Sequence, residues 1–323
     1  MALTLSEIQA VTDDVWLPGA QDNWAEGNVW LMKLLGMKET IPSCEKVRAV
    51  LEYNRSRGGA FGPTTIFDTA KKDIINAARF DWAYFWSGLT VDIKDMTQAS
   101  GGNAELDLIL TKLNNAQKSV KDYMGDSIYL SYSDGQTEWG ADAIPFYGIP
   151  DLMNQGGTTS YGGIQPDDLL GPDSTSVWLA FQDATALTMN FDTMQVLRRG
   201  CAVGNEAGDK PDFYVTTETL KDAFENTLQA QQRYYDKGLA QAGFENVKFG
   251  ARGVVVADDK AASGYVYGFN MNFIKFKVHQ DYNFTRPEWK EPTNQAVKTA
   301  QMLVACCFLT SQRRAHGQLT NVS

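Results

Sequence analysis

Histidine and cysteine are scarce in this chain. Of its 323 residues only two are histidine, His279 and His316, and neither lies within helical spacing of a second ligand, so a dedicated zinc site is not expected. The four cysteines, Cys44, Cys201 and the adjacent Cys306 and Cys307, form no CxxC pair and no framework spacing. They read as reduced thiols of a cytosolic compartment. No GxSxG-type elbow is present to support a nucleophilic serine. Cations are also in deficit, with 29 Lys and Arg against 39 Asp and Glu and a formal net charge of -10. Such a balance argues against tight, sequence-independent nucleic-acid binding, which needs clustered cations to neutralise phosphates. Long apolar runs are missing as well. The longest, Met302 to Leu309, falls far short of the roughly 20 residues that cross a bilayer. The opening MALTLSEIQAVTDDVW has no basic region, and Ser6, Glu7 and Gln9 break its apolar run, so it does not read as a signal peptide.

What the chain does have is core-forming material: 43% hydrophobic and 11% aromatic residues, enough for one large domain or two modest ones. Residues 1 to 43 read as an arm, with Trp16, Trp24 and Trp30 spaced irregularly among Pro18, Gly19 and Gly27. These tryptophans require an apolar surface, either the chain's own body or a neighbour's. Next, Val47, Ala49, Leu51 and Tyr53 alternate with polar residues, as on a half-buried strand. After the turn signals Arg57-Gly58-Gly59 and Gly62-Pro63, a short helical piece is expected from Ile66 to Ala78. A second strand is expected to carry Phe80, Trp82, Tyr84 and Trp86 on one face. Two strands alone are marginal in water, so this aromatic row needs its own domain or a neighbouring copy beneath it.

Asn103 can cap the best helix in the chain, with Glu105 and Asp107 in its first turn. Leu106, Ile109, Leu110, Leu113, Ala116, Val120 and Met124 then make one apolar stripe. From Ile128 to about Ala202 the sequence is rich in glycine and proline and reads as short elements with long connections. A helix follows Val215, capped by Thr216 or Thr217, with Leu220, Phe224, Leu228 and Tyr235 on its buried face. Val254 to Val256 and Tyr265 to Val278 read as strands, the second long and alternating. Gln301 to Leu309 reads as another buried strand or a short helix, and Thr310 to Asn321 as a polar return.

The candidate sites are weak. Gly156 to Gly163 is glycine-rich but lacks the Lys-Ser/Thr of a phosphate loop. Asp134-Gly135-Gln136-Thr137-Glu138 places its glycine too early for a calcium loop and reads as a hydrated turn. The pairs Asp13-Asp14, Asp167-Asp168 and Asp258-Asp259 sit in turn-like sequence and are expected to face solvent. They would serve an acid hydrolase only if folding converged them. No catalytic residue, cofactor or metal site is assigned.

Laid out this way, the chain resembles the major capsid proteins of tailed bacteriophages, with the Hong Kong 97-type coat fold. Two stretches carry most of the likeness. Ala78 to Leu110, ARFDWAYFWSGLTVDIKDMTQASGGNAELDLIL, looks like the family's aromatic strand, glycine break, strand, cap and spine helix. Gly243 to Asn270, with VKFGARGVVVADD and GYVYGFN, looks like its late strands. Asn294-Gln295 and the closing LTSQRRAHGQL, Leu309 to Leu319, also fit.

The resemblance implies an α+β fold with an N-terminal arm at 1–43 and an extended β-hairpin loop at 44–98. A peripheral domain with its spine helix would take 99–130, an axial domain 131–270, and a return to long peripheral strands 271–323. It implies a structural, non-enzymatic subunit that self-assembles as hexamers and pentamers into an icosahedral shell around double-stranded phage DNA, in the virion after assembly in the host cytoplasm. Implied partners are further copies of the chain, a separate scaffolding protein, a portal and a decoration protein, with no membrane and no sequence-specific DNA contact. Trp16, Trp24, Trp30, Tyr53, Phe61, Phe67, Trp82, Tyr84 and Trp86 are the assembly-interface candidates. Lys71 and Lys72 lie in the extended loop, but no motif identifies an Asn acceptor, so isopeptide crosslinking is not expected. The alternatives are an acidic α+β hydrolase and a carbohydrate-binding module that stacks sugars on Trp82, Tyr84 and Trp86.

Overall fold

The computed structural model describes residues 28–42, 44–92, 102–153, 160–204, 206–228, 246–250, 252–285, 288–293, 295 and 297–323, with 102–108, 207 and 246 described for their backbone only. In chain order the elements are α1 (Val29–Gly36), β1 (Lys38–Ile41), β2 (Val47–Glu52), β3 (Ile75–Phe80), β4 (Ala83–Asp92) and α2 (Gly102–Tyr129). There follow α3 (Tyr132–Trp139), α4 (Ile149–Met153), β5 (Phe181–Asp183), α5 (Phe191–Gly200), β6 (Phe213–Thr216) and α6 (Glu218–Thr227). The chain closes with β7 (Asn246–Phe249), β8 (Gly253–Ala257), β9 (Val266–Phe269), β10 (Ile274–His279), β11 (Val297–Thr310) and β12 (Gly317–Leu319). They form two compact units: the described residues of 1–44, 82–146 and 276–307 in one, and the described residues of 45–81, 147–275 and 308–323 in the other.

The first unit is a four-stranded sheet, ordered β1-β10-β11-β4, backed by the long helix α2. Ile109, Leu113, Ala116, Val120, Met124 and Ile128 are all buried on α2, at the 3–4 residue spacing that keeps one stripe against a sheet. At 28 residues the helix is about 42 Å long. β11 runs antiparallel to β4 from Val297 opposite Asp92 to Cys306 opposite Ala83. Along β4 burial alternates strictly, with Phe85, Leu89 and Val91 inside. Asn28 caps α1 by accepting the Leu31 N–H at 2.7 Å.

The second unit holds a six-stranded sheet, ordered β5-β12-β9-β6-β8-β7, in which β6 pairs parallel to β8 and antiparallel to β9. Helices α5 and α6 supply Met194, Leu197, Leu220 and Phe224 to a core shared with Tyr214, Phe249 and Val255. Asn190 caps α5 through the Thr193 N–H, and Arg198 and Arg199 in its last turn complement the helix dipole.

Several expectations change. No helix forms over 66–78; β3 occupies its end, because pairing Ile75–Phe80 with Glu52–Val47 satisfies a full ladder of backbone groups, which outweighs the helical preference of Ala77 and Ala78. The long strand expected from Tyr265 to Val278 is two strands. Asn270 breaks it, its Oδ1 accepting the Asn272 N–H and its backbone carbonyl the Phe273 N–H. In the sheet β6 lies between β8 and β9. The stretch after Ile128 holds α3, α4 and α5. Asp134-Gly135 lies inside α3, where Ser131 accepts the Asp134 N–H and where a Cβ on Gly135 would meet Pro145 at 2.7 Å. Asp258 is buried rather than solvated, its Oδ1 accepting the Lys260 N–H. Helix α6 caps at Thr217 and ends at Thr227, and the expected extension to Tyr235 falls outside the described residues. By contacts the chain changes unit after 146 and again at 276 and 308, and β12 pairs in the six-stranded sheet.

Candidate assembly surfaces

The ribbon β2–β3 is anchored at its base and free at its tip. Val47, Ala49 and Leu51 on one strand and Ala78 and Phe80 on the other face inward and are buried. The Phe80 ring meets Tyr161 edge-on at 4.9 Å, and the Arg79 N–H donates to the Gly162 carbonyl at 2.8 Å. Gly162 has φ +64, and an added Cβ would sit 2.8 Å from both Ala78 Cβ and Phe80 Cζ. Only glycine combines that backbone with that approach. Farther along, the Asn54 side chain donates to the Leu170 carbonyl.

Beyond Asn54 the ribbon projects, and every residue from Arg55 to Asp73 is exposed. Exposure reaches 71% at Phe61, 95% at Ile66 and 65% at Phe67. The tip is nonetheless organised from within. Phe61 and Phe67 meet edge-to-face at 5.5 Å, Arg57 pairs with Asp68, and Lys72 donates to Asn54 Oδ1. Thr65 Oγ1 accepts the Gly62 N–H at 2.8 Å. The Asp68 carboxyl is held below its ordinary value, first by the Ala70 N–H and then by Arg57. Three large apolar side chains are thus presented in a preset shape, which reduces the ordering cost of binding.

The second apolar surface is the outer face of β4. Tyr84 and Trp86 are 56% and 64% exposed, opposite Ala305 and Leu303 of β11. Behind them Phe85 packs on Phe146 and Trp139.

The sequence-derived candidates therefore separate. Phe61, Phe67, Tyr84 and Trp86 are exposed, and Tyr53 is half-buried with its N–H on the Ile74 carbonyl. Trp30 and Trp82 are corrections: at 0% and 4% exposure they belong to the core of the first unit, so no partner reaches them. Trp82 stands before β4 rather than in it, its Nε1 donating to the Cys44 carbonyl and its ring lying against His279. The row Trp82-Tyr84-Trp86 is consequently not one face, and the sugar-stacking platform loses its third ring. Trp16 and Trp24 lie outside the described residues. Sequence reading missed Ile66, Val50 and Ile75, all strongly exposed. For Ile66 the signal was an apolar residue in a turn-rich insert; Val50 and Ile75 lie on the outward face of the ribbon strands. Among the described residues, no three of His, Cys, Asp and Glu converge as a metal site, and no helix is long and apolar enough to cross a membrane.

No protein-family model matches the sequence, and no curated protein does. Solved structures do match. A subunit of the cyanophage A-1(L) capsid superposes with a TM-score of 0.65 at 11% identity, covering 90% of this chain and 91% of its own. A capsid subunit of a native GTA particle gives 0.59 at 9% identity over 95% and 92%. The encapsulin complex of Synechococcus elongatus gives 0.53 at 10% identity over 100% and 97%. The chain has the Hong Kong 97-type capsid fold.

Proposed function

We propose that this chain is the major coat subunit of a tailed-phage shell, assembling with copies of itself as hexamers and pentamers around double-stranded DNA. The observation that carries the reading is the hairpin tip. Phe61, Ile66 and Phe67 stand exposed on an anchored, internally braced ribbon, with no cover among the described residues. The Tyr84–Trp86 face is the complementary apolar surface, to be met by the tip of the next copy. Two different patches on one molecule make a heterologous contact, which builds a ring when the rotation between copies closes. Whole-chain likeness to coat subunits of shells supports the same direction.

The finer parts of the reading follow from it. The role is structural rather than enzymatic, and the working location is the virion, after assembly in the host cytoplasm. A separate scaffolding protein would set curvature, a portal would occupy one vertex, and a decoration protein would bind the finished outer surface. The net charge of -10 suits a container whose wall must not hold its DNA, because like charges repel within a Debye length of about 8 Å.

The test replaces residues 56–73 with a short turn, keeping β2 and β3 because Ala78 and Phe80 are core. The expected product is a folded subunit that forms no closed shells. Shells that still close would refute the role given to the tip. Shells purified from the phage should contain double-stranded DNA; shells without it would count against a packaging role.

A further inference from the structure

Of the two histidines, His316 is fully buried, with 0% exposure, and several chain segments meet on it. Its Nδ1 accepts the Asn270 N–H at 3.2 Å, in the turn between β9 and β10. Its Nε2 lies 2.8 Å from Thr310 Oγ1, at the end of β11. That hydroxyl donates to the Phe273 carbonyl at 3.1 Å and accepts the Gln312 N–H. The order of donors therefore has one consistent solution. Nδ1 is an acceptor, so Nε2 carries the proton and donates to Thr310 Oγ1, whose own O–H donates to the Phe273 carbonyl. The backbone of the same residue serves the sheet: its carbonyl takes the Phe181 N–H, and its N–H donates to the Arg313 carbonyl. Phe269 covers the ring at 6.1 Å.

A second proton has no place here. On Nδ1 it would point at the Asn270 N–H, donor against donor, in a site closed to water. No carboxylate offsets the charge: burial is the sole cause of the shift that takes the His316 pKa down to about 3. The charged groups on the surrounding elements are otherwise engaged. Arg313, on the turn before the ring, donates to the carbonyls of Asp151, Leu152 and Trp178, and Arg314 is exposed. Asp212, ahead of β6, accepts the Met271 N–H and lies 3.9 Å from Arg252. Cys201 beneath Gly317 and Tyr267 on β9 are both held neutral by burial.

We infer that His316 is a proton-sensitive latch that joins the β9–β10 turn, the end of β11 and the approach to β12, and that mild acid opens this junction of the second unit. β10 leaves from this junction and β11 ends at it. The closed ring refuses a proton that the open ring takes at the ordinary histidine value. Stability from the latch is therefore complete above pH about 6.5 and is lost as the pH falls toward 3. Each pH unit inside that window multiplies the opening constant about tenfold, so a drop from about 7.5 to about 5.0 multiplies it about 30-fold.

Hydrogen exchange by mass spectrometry on the full chain tests this, because only His279 and His316 can respond as histidines. Corrected for intrinsic rates, exchange in peptides spanning 268–274 and 309–318 should rise about 30-fold over that range. His279→Gln should keep the rise. His316→Gln, which offers an acceptor and a donor but cannot titrate, should exchange faster than wild type at neutral pH and change less than about threefold on acidification. Should that variant fail to fold, wild type against His279→Gln still decides. Exchange that is independent of pH in wild type, or a rise abolished by His279→Gln, overturns the inference.

Discussion

Substitution of Gly162 by alanine should release the base of the ribbon. Two costs add there. The backbone sits at φ +64, where a Cβ costs about 1–2 kcal/mol. The new methyl would also lie 2.8 Å from Ala78 Cβ and Phe80 Cζ, and forcing a group into a packed core costs about 1–3 kcal/mol. The sum is about 2–5 kcal/mol. Neighbouring Gly163 separates the two effects, because it has φ +76 but nothing within 4 Å of its missing Cβ. Gly163→Ala should therefore lose only the backbone share, about 1–2 kcal/mol. Equilibrium urea unfolding of the two variants beside wild type measures the difference, with near-equal m-values as the check that the unfolded state is unchanged. If Gly162→Ala were no less stable than Gly163→Ala, the close seating of β3 on this turn would be wrong, and with it the rigidity claimed for the hairpin.

Replacing Phe61, Ile66 and Phe67 together by serine should change folding stability by less than about 0.5 kcal/mol, since all three are exposed. The same change should raise the concentration needed for assembly at least about 100-fold by light scattering, since each side chain buried on contact is worth about 1.5–3 kcal/mol. Arg313→Met should cost about 3–5 kcal/mol in urea unfolding, because three buried carbonyls lose their donor; Arg313→Lys, which cannot fork to all three, should recover little of it. Lys121, its pKa lowered to about 8 chiefly by burial and then by Lys38, destabilises the folded chain while charged. Its folded value lies below its unfolded one, so stability should rise as the pH goes from 8 toward 10.5, and Lys121→Met should abolish that rise in thermal melts.

Legibility in the sequence followed the reach of the interactions. The stripe of α2 is a local, 3.6-residue pattern, and the spine was readable from Ile109 to Met124 without any partner. The ribbon strand Val47–Glu52 was equally plain, because its two-residue alternation matches its burial. Strand β3 was misread because Ala77 and Ala78 locally favour helix, and only pairing with the distant β2 overrides that preference. In β4 the aromatic alternation was real but out of phase. Asp81 and Trp82 lie outside both strands, so Phe85 turns inward while Tyr84 and Trp86 turn out. The break at Asn270 depends on side-chain bonds to Gly208 and to its own turn, which strand periodicity does not record. His316 gave no sequence signal at all, since its partners come from residues 270 and 310.

The most direct test of the account is cryo-electron microscopy of the assembled wild-type chain, with the contact made by Phe61, Ile66 and Phe67 as the observation that matters. The expected result is a closed icosahedral shell in which each hairpin tip is buried on the Tyr84–Trp86 face of an adjacent copy. A chain that stays monomeric at every concentration and with every co-expressed phage protein, or a shell whose tips stand in solvent, would contradict it.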